Sequence, residues 1–269
     1  MLFFWTKFIH LLLVVLAVTL LTFVMLDRLP MDVAAEVAGY GASSADLATV
    51  REELGLNRPL AVRYGHWLAG AARGDLGKSF ASGQPVGEAI RSHLPVTLEL
   101  VILAQGFALL LALPLALISA WKAGSRLDRA VRTIAFGFAS LPAFAVAIGL
   151  IILLALRLGL FPATGYTPLS AGIWSNLKGF MLPALSIALV EWVPLMRVLR
   201  SDLIDTLQED FILLARCKGL SDRQILIGHA LRPSCFTLIT LFGMQAASLI
   251  GGAVIIELLF SLPGVGGCW

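Results

Sequence analysis

The sequence predicts an all-α fold, a polytopic membrane helix bundle of five spans with its N-terminus in the cytoplasm. Of 269 residues, 58% are hydrophobic and only 14% charged, against about 25% charged for an ordinary globular domain. Mean hydropathy is +0.89. Apolar runs able to cross a hydrocarbon core of ~30 Å at ~1.5 Å per residue fall at 8–26, 97–120, 134–156, 180–199 and 236–260. Lys and Arg gather in two of the connecting loops, which sets the orientation.

The first run exceeds the ~7 to 15 apolar residues of a signal peptide, and Leu26-Asp27-Arg28-Leu29-Pro30 offers no small-x-small cleavage site. Residues 1–29 therefore read as a retained first helix. Residues 30–95 read as an external segment carrying short helices. Within it, 45–54 has helical spacing after a capping Ser43 or Ser44 and stops at Gly55. Residues 59–72 are amphipathic, with Leu60, Tyr64, Trp67 and Leu68 on one side, and the two aromatics suit a membrane interface. Residues 74–87 read as a loop, 86–92 as a short helix, and Pro95 as the boundary before the second span.

Residues 96–269 carry the other four spans. Pro114, Pro142, Pro183 and Pro194 should kink or break them, and Gly106, Gly137, Gly149, Gly243, Gly251 and Gly252 should permit close approach or bending. The loop after the second span holds Lys122, Arg126, Arg129 and Arg132. The loop after the fourth holds Arg197, Arg200, Arg216, Lys218, Arg223 and Arg232, whereas the loop after the third has only Arg157 and Lys178. The two basic loops should be cytoplasmic and the poor one external. The net charge of +3 is thereby topological and does not indicate a nucleic-acid partner.

Chemistry-bearing motifs are few. Cys217, Cys235 and Cys268 share no close spacing, and His10, His66, His93 and His229 are scattered, so neither a disulfide framework nor a metal site is expected. Ala72-Arg73-Gly74-Asp75-Leu76-Gly77-Lys78-Ser79 approaches a phosphate-binding loop, but Ala72 stands at the first glycine and Ser82-Gly83-Gln84-Pro85 prevents a helix from starting there. ATP hydrolysis must then come from another chain. No catalytic residues are expected, because no G-x-S-x-G or H-E-x-x-H occurs. Of the carboxylates in or near spans, Glu99 and Glu257 read as solvated end residues. Glu191 lies about halfway through the fourth span, where an isolated charge costs a few kcal/mol. It is a candidate pathway-lining residue, with Gln245 beside it, or else a structural group paired with Gln105 or Gln245.

The polar island between the last two spans is the most informative stretch. Residues 209–220 read as a short helix with Phe211, Leu214 and Ala215 on one face and Asp210, Arg216 and Lys218 elsewhere. Gly219 can supply a left-handed ending, and Ser221 with Gln224 forms a capping box for a second short helix. A capped helical hairpin of this kind either offers a docking surface or simply rests in the lipid headgroups.

The run Glu209-Asp210-Phe211 through Ala215-Arg216-Cys217-Lys218-Gly219-Leu220-Ser221, continuing into His229-Ala230-Leu231-Arg232, resembles the Glu-Ala-Ala coupling loop of bacterial ABC-importer permeases. The version is that of the dipeptide, oligopeptide and nickel permease family. Leu54-Gly55-Leu56-Asn57-Arg58-Pro59-Leu60, Arg73-Gly74-Asp75-Leu76-Gly77-Lys78-Ser79, Leu94-Pro95-Val96-Thr97-Leu98-Glu99-Leu100, Gly251-Gly252-Ala253-Val254-Ile255-Ile256-Glu257 and Leu262-Pro263-Gly264-Val265-Gly266 resemble that family's first permease subunit in the same order. Leu213, Leu214 and Cys217 depart from the family pattern and make the loop more apolar.

The resemblance implies a type I importer fold in a bacterial inner membrane. Partners would be a second homologous permease subunit, two cytosolic ATPase subunits and an extracytoplasmic substrate-binding protein. ATP and Mg would be bound by the ATPases, with no cofactor on this chain. The coupling loop, 201–233, would act through Glu209, Asp210, Phe211, Ala215, Arg216, Lys218, Gly219 and Ser221. Peptide is the expected cargo, with nickel or another small solute as the alternative. A secondary transporter would need paired ion ligands at depth, and an intramembrane enzyme would need a nucleophile and base there. Family members continue past Leu-Pro-Gly-x-Gly into a sixth span, while this sequence stops at Gly267-Cys268-Trp269. Five spans and an external C-terminus are expected, from either a shortened frame or a fragment.

Overall fold

A computed structural model describes residues 2–28, 33–38, 43–53, 55–79 and 83–267. The chain separates into two compact units, Met1–Ser92 and His93–Trp269. The first contains α1 (Leu2–Arg28), α2 (Val33–Ala38), α3 (Ser44–Glu53) and α4 (Leu60–Ala71). No residue of the 18-residue apolar window in α1 is buried among the described residues. Ser43 caps α3 as expected: its amide and hydroxyl donate to Asp46 Oδ2 at 3.0 and 2.7 Å, and the Asp46 amide donates to Ser43 Oγ at 3.3 Å. On α4, Tyr64 and Trp67 stack at 6.1 Å and meet Phe23 of α1, so these aromatics pack helix on helix. Tyr64 also donates to the Leu16 carbonyl at 3.2 Å. Leu68, expected on the same side, is exposed.

α5 (Val86–Trp121) runs unbroken through Pro95 and Pro114, so the short helix and the Pro95 boundary read from the sequence merge into one element. Proline removes one hydrogen bond and costs ~3 kcal/mol in a helix interior. Here Val96, Thr97 and Leu100, one turn on, are buried in the bundle, and that packing keeps the helix in register. The same holds for Pro183 and Pro194 inside α8 (Ile173–Thr206), whose apolar window is 61% buried.

Pro142 has the opposite outcome. The third apolar run, expected to cross as one helix over 134–156, is two helices bent by 98°: α6 (Arg126–Ala139), and α7 (Ala143–Leu150) continuing as a π-helix over Ile151–Arg157. Pro142 pushes Leu141 out of the helical region and opens α7 at the position where its missing N–H is harmless. The fifth run is also divided. A helix begins after Ser221, passes a π-helix at Gln224–Ala230, continues as α10 (Leu231–Gly252) and breaks at Ala253 before α11 (Val254–Phe260). Gly251-Gly252 weakens the helix at that point. Among the described residues, no atom lies within 4 Å of a Cβ added to Gly106, Gly137, Gly149, Gly243, Gly251 or Gly252, so the close approach expected of them does not occur there.

In the second unit, two apolar clusters lie along α8. One gathers Ala116 and Ala120 of α5, Val131 of α6, Leu199 and Leu203 of α8, and Ile212, Ala215 and Ile225 beyond it. The other gathers Val96 and Leu100, Phe180 and Ile187, and Ile256 and Phe260 of α11. The chain thus shuttles between two ends, and both basic loops stand at the same end. Arg197 and Arg200, counted in a loop, are in fact inside α8.

Candidate functional site

The polar island folds as a helix held between α8 and the last long helix. α9 (Asp210–Cys217) starts at Glu209, whose carbonyl accepts from the Ile212 amide at 3.0 Å. Asp210 in its first turn and Arg216 in its last complement the helix dipole. Gly219 has φ +76° and ends it: its amide donates to Arg216 O at 3.0 Å and the Leu220 amide to Ala215 O at 3.3 Å. That pair of bonds is the Schellman ending. Ser221 then donates through its amide and hydroxyl to Gln224 Oε1, each at 2.9 Å, as expected of the capping pair. The second helix is not short, however, because it continues through the π-helix into α10.

The faces of α9 differ from the expected ones. Ile212 (1% exposed) and Ala215 (5%) are buried, whereas Phe211 (45%), Leu213 (62%) and Leu214 (56%) are exposed. Phe211 and Leu214 therefore do not share the inner face with Ala215. Periodicity alone could not choose between Ile212 and Phe211 as the inward residue, since both lie within one turn of Ala215. What remains outside is an apolar ridge flanked by Glu209, Asp210, Arg216 and Lys218, all exposed. Cys217, on the same helix, is an exposed free thiol, Cys235 is free, and Cys268 lies outside the described residues.

A second set of polar groups lies where the two apolar clusters meet. Gln105, between Ala104 of one cluster and Ala108 of the other, is 2% exposed, and neither its Nε2 nor its Oε1 has a partner among the described residues. Trp192 Nε1 and Gln245 Oε1 are likewise buried and unpartnered. Gln245 Nε2 donates to the backbone carbonyl of Glu191 at 3.4 Å, so neither glutamine pairs with the Glu191 carboxylate as the structural alternative required. Buried polar atoms without partners are uncommon, and here they come from α5, α8 and α10.

Glu257 overturns an expectation outright. It is 1% exposed rather than solvated. Thr97 Oγ1 donates to its Oε1 at 2.5 Å and the Gly266 amide to its Oε2 at 2.8 Å, while the Val265 amide donates to Thr97 Oγ1 at 2.9 Å. An added Cβ on Gly264 would sit 2.2 Å from the Glu257 carboxyl, and one on Gly266 would sit 2.7 Å from Val254 Cα. The two stretches around Thr97 and Gly264, far apart in sequence, form one knot. Glu99, also expected to be solvated, is half-buried.

The stretch resembling a phosphate loop is occupied by its own chain. Asp75 Oδ1 accepts from the Gly77 amide at 2.9 Å, Lys78 and Pro85 form an isolated antiparallel bridge, and the next helix begins only at Val86.

Comparison with known proteins agrees with this architecture. Residues 112–268 match the family described as binding-protein-dependent transport system inner membrane component, and residues 1–101 match its N-terminal family. A putative peptide transport system permease protein of Brucella abortus is 38% identical over 253 residues, covering 94% of this chain and 81% of the relative. The oligopeptide transport system permease protein AppB of Bacillus subtilis is 34% identical, with 94% and 81% covered. The glutathione transport system permease protein GsiC of Escherichia coli is 33% identical, with 93% and 79% covered.

Proposed function

The chain belongs to the family of binding-protein-dependent transport system inner membrane components, and from that premise we propose that it forms half of the translocation pathway of an ABC importer for peptides. The observation that carries the mechanism is the exposed apolar ridge of α9, at the end of the bundle where Lys and Arg collect. Two cytosolic ATPase subunits would receive that ridge. Their ATP-driven closure would move α9, and with it α8, which runs from this end of the unit to the other. The α10 face bearing Phe236, Ile239 and Met244 is exposed in the isolated chain and suits lipid or the second permease subunit. The cargo assignment rests on relatives named for peptides, oligopeptides and glutathione.

Copurification tests the assignment. Two ATPase chains and a second permease should co-elute with this chain from detergent-solubilised membranes, and the ligand carried by the associated binding protein should be a peptide. Recovery of the chain free of any ATPase, under conditions that retain the second permease, would refute it.

Glu191 and Gln245, together with the buried Gln105 and Trp192, would line the pathway. Their open valences would meet a passing solute's polar groups weakly enough to let it leave. Glu191→Gln should leave the complex assembled and lower uptake by roughly tenfold to a hundredfold, as for one lost charged hydrogen bond of ~1.5–3 kcal/mol. Uptake equal to that of the parent would remove Glu191 from the pathway.

A further inference from the structure

We propose that the buried ion pair of Asp128 with Arg200 is the joint that passes movement of the α9–α8 arm to α5 and α6, and so to the bent third span. This rests on the reading of α9 as the ATPase contact. Asp128 is 1% exposed, and four donors fill its two oxygens. Oδ1 accepts from Ser119 Oγ and from Arg200 Nε at 2.8 Å, and Oδ2 accepts from Arg200 Nη2 at 2.8 Å and the Gly124 amide at 3.0 Å. Arg200 Nε also reaches Ser119 Oγ at 3.0 Å.

The placement makes the pair more than a local tie. Ser119 is in the last turn of α5, Gly124 in the connecting turn, Asp128 in the first turn of α6, and Arg200 six residues before the end of α8 at Thr206. α9 begins four residues after that end, at Asp210, and its buried side chains Ile212 and Ala215 share one apolar cluster with Leu199, Leu203, Val131 and Ala120. Apolar contacts can slide, but a forked guanidinium on a carboxylate fixes distance and angle together. α6, held by this fork at its first turn, ends at the 98° bend into α7. Arg132 also approaches Asp128, at 3.5 Å, but it is 53% exposed and on α6 itself, so it adds charge without linking α8.

The test uses the complete importer, with both permeases, the ATPases and the binding protein, reconstituted in liposomes, and reads uptake per ATP hydrolysed by equal amounts of assembled complex. Asp128→Asn and Arg200→Lys, the second keeping the charge but losing the fork, should each leave basal ATP hydrolysis near that of the parent. Both should lose its stimulation by loaded binding protein and lower uptake per ATP by roughly tenfold or more. Arg132→Gln should leave the ratio unchanged. An unchanged ratio in Arg200→Lys, or an equal loss in Arg132→Gln, would overturn the joint. Failure of both Asp128→Asn and Arg200→Lys to assemble, with Arg132→Gln assembling normally, would also overturn it, because the pair would then be a folding element only. The underlying reading fails separately, if the parent chain recruits no ATPase.

Discussion

Gly264→Ala is expected to destabilise the folded protein by ~3 kcal/mol or more. The added methyl would stand 2.2 Å from the carboxyl carbon and one oxygen of Glu257, and 2.5 Å from the other oxygen. The carboxylate cannot retreat, because it is 1% exposed and bonded to Thr97 on one side and Gly266 on the other. Overpacking a core by one methyl costs ~1–3 kcal/mol, and displacing a buried charge from its donors costs as much again or more. A loss of ~3 kcal/mol or more is comparable to a sizeable part of a domain's whole stability. Thermal unfolding of purified protein in detergent would register it, with Gly252→Ala as the control, since a Cβ there meets nothing within 4 Å. Equal midpoints for Gly264→Ala and the parent would show that the Glu257 knot does not bear on stability.

The second large effect is expected from Leu213→Asp combined with Leu214→Asp. Both side chains are more than half exposed, at 62% and 56%, so the isolated chain should keep its stability to within about 0.5 kcal/mol per substitution. If they fill a groove on an ATPase, two buried carboxylates replace two apolar anchors, and loss of a single such anchor is worth ~2 kcal/mol or more, roughly thirtyfold in affinity. ATPase chains should then no longer co-elute, while the second permease still does. Retention of the ATPases at parental stoichiometry would exclude this face as the contact. Ala215→Arg is a poorer test, because Ala215 is 5% exposed and a charge there would disrupt the packing of α9 itself.

Sequence and structure agree where a local rule decides the backbone. The cap at Ser43, the left-handed Gly219 and the Ser221–Gln224 pair each involve residues within one helical turn, so short-range chemistry suffices to specify them. The ambiguities arise where one local signal permits two outcomes. Pro95, Pro114, Pro183 and Pro194 all lie inside helices while Pro142 begins one, and no feature of the proline alone distinguishes them. The amphipathic pattern of α9 likewise allowed either Phe211 or Ile212 to face inward, and the cluster beneath it selected Ile212.

The candidate site shows the same division. Glu257 read as a solvated end residue because it sits near the boundary of an apolar run, where water is close at hand, and Asp128 carried no signal of its own. Their partners, Thr97 and Arg200, lie 160 and 72 residues away, and no spacing rule spans that distance. The one available signal for the first was that both stretches, around Thr97 and around Gly264, belonged to the set resembling a single family. Composition and run length fixed the solvent, the helical class and the number of apolar segments, because a hydrocarbon slab acts on each segment independently of the others. Which prolines bend, which face of α9 is left for a partner, and which carboxylates are buried with donors were decided only by tertiary structure, because each depends on the packing energy of surfaces that the chain brings together from far apart.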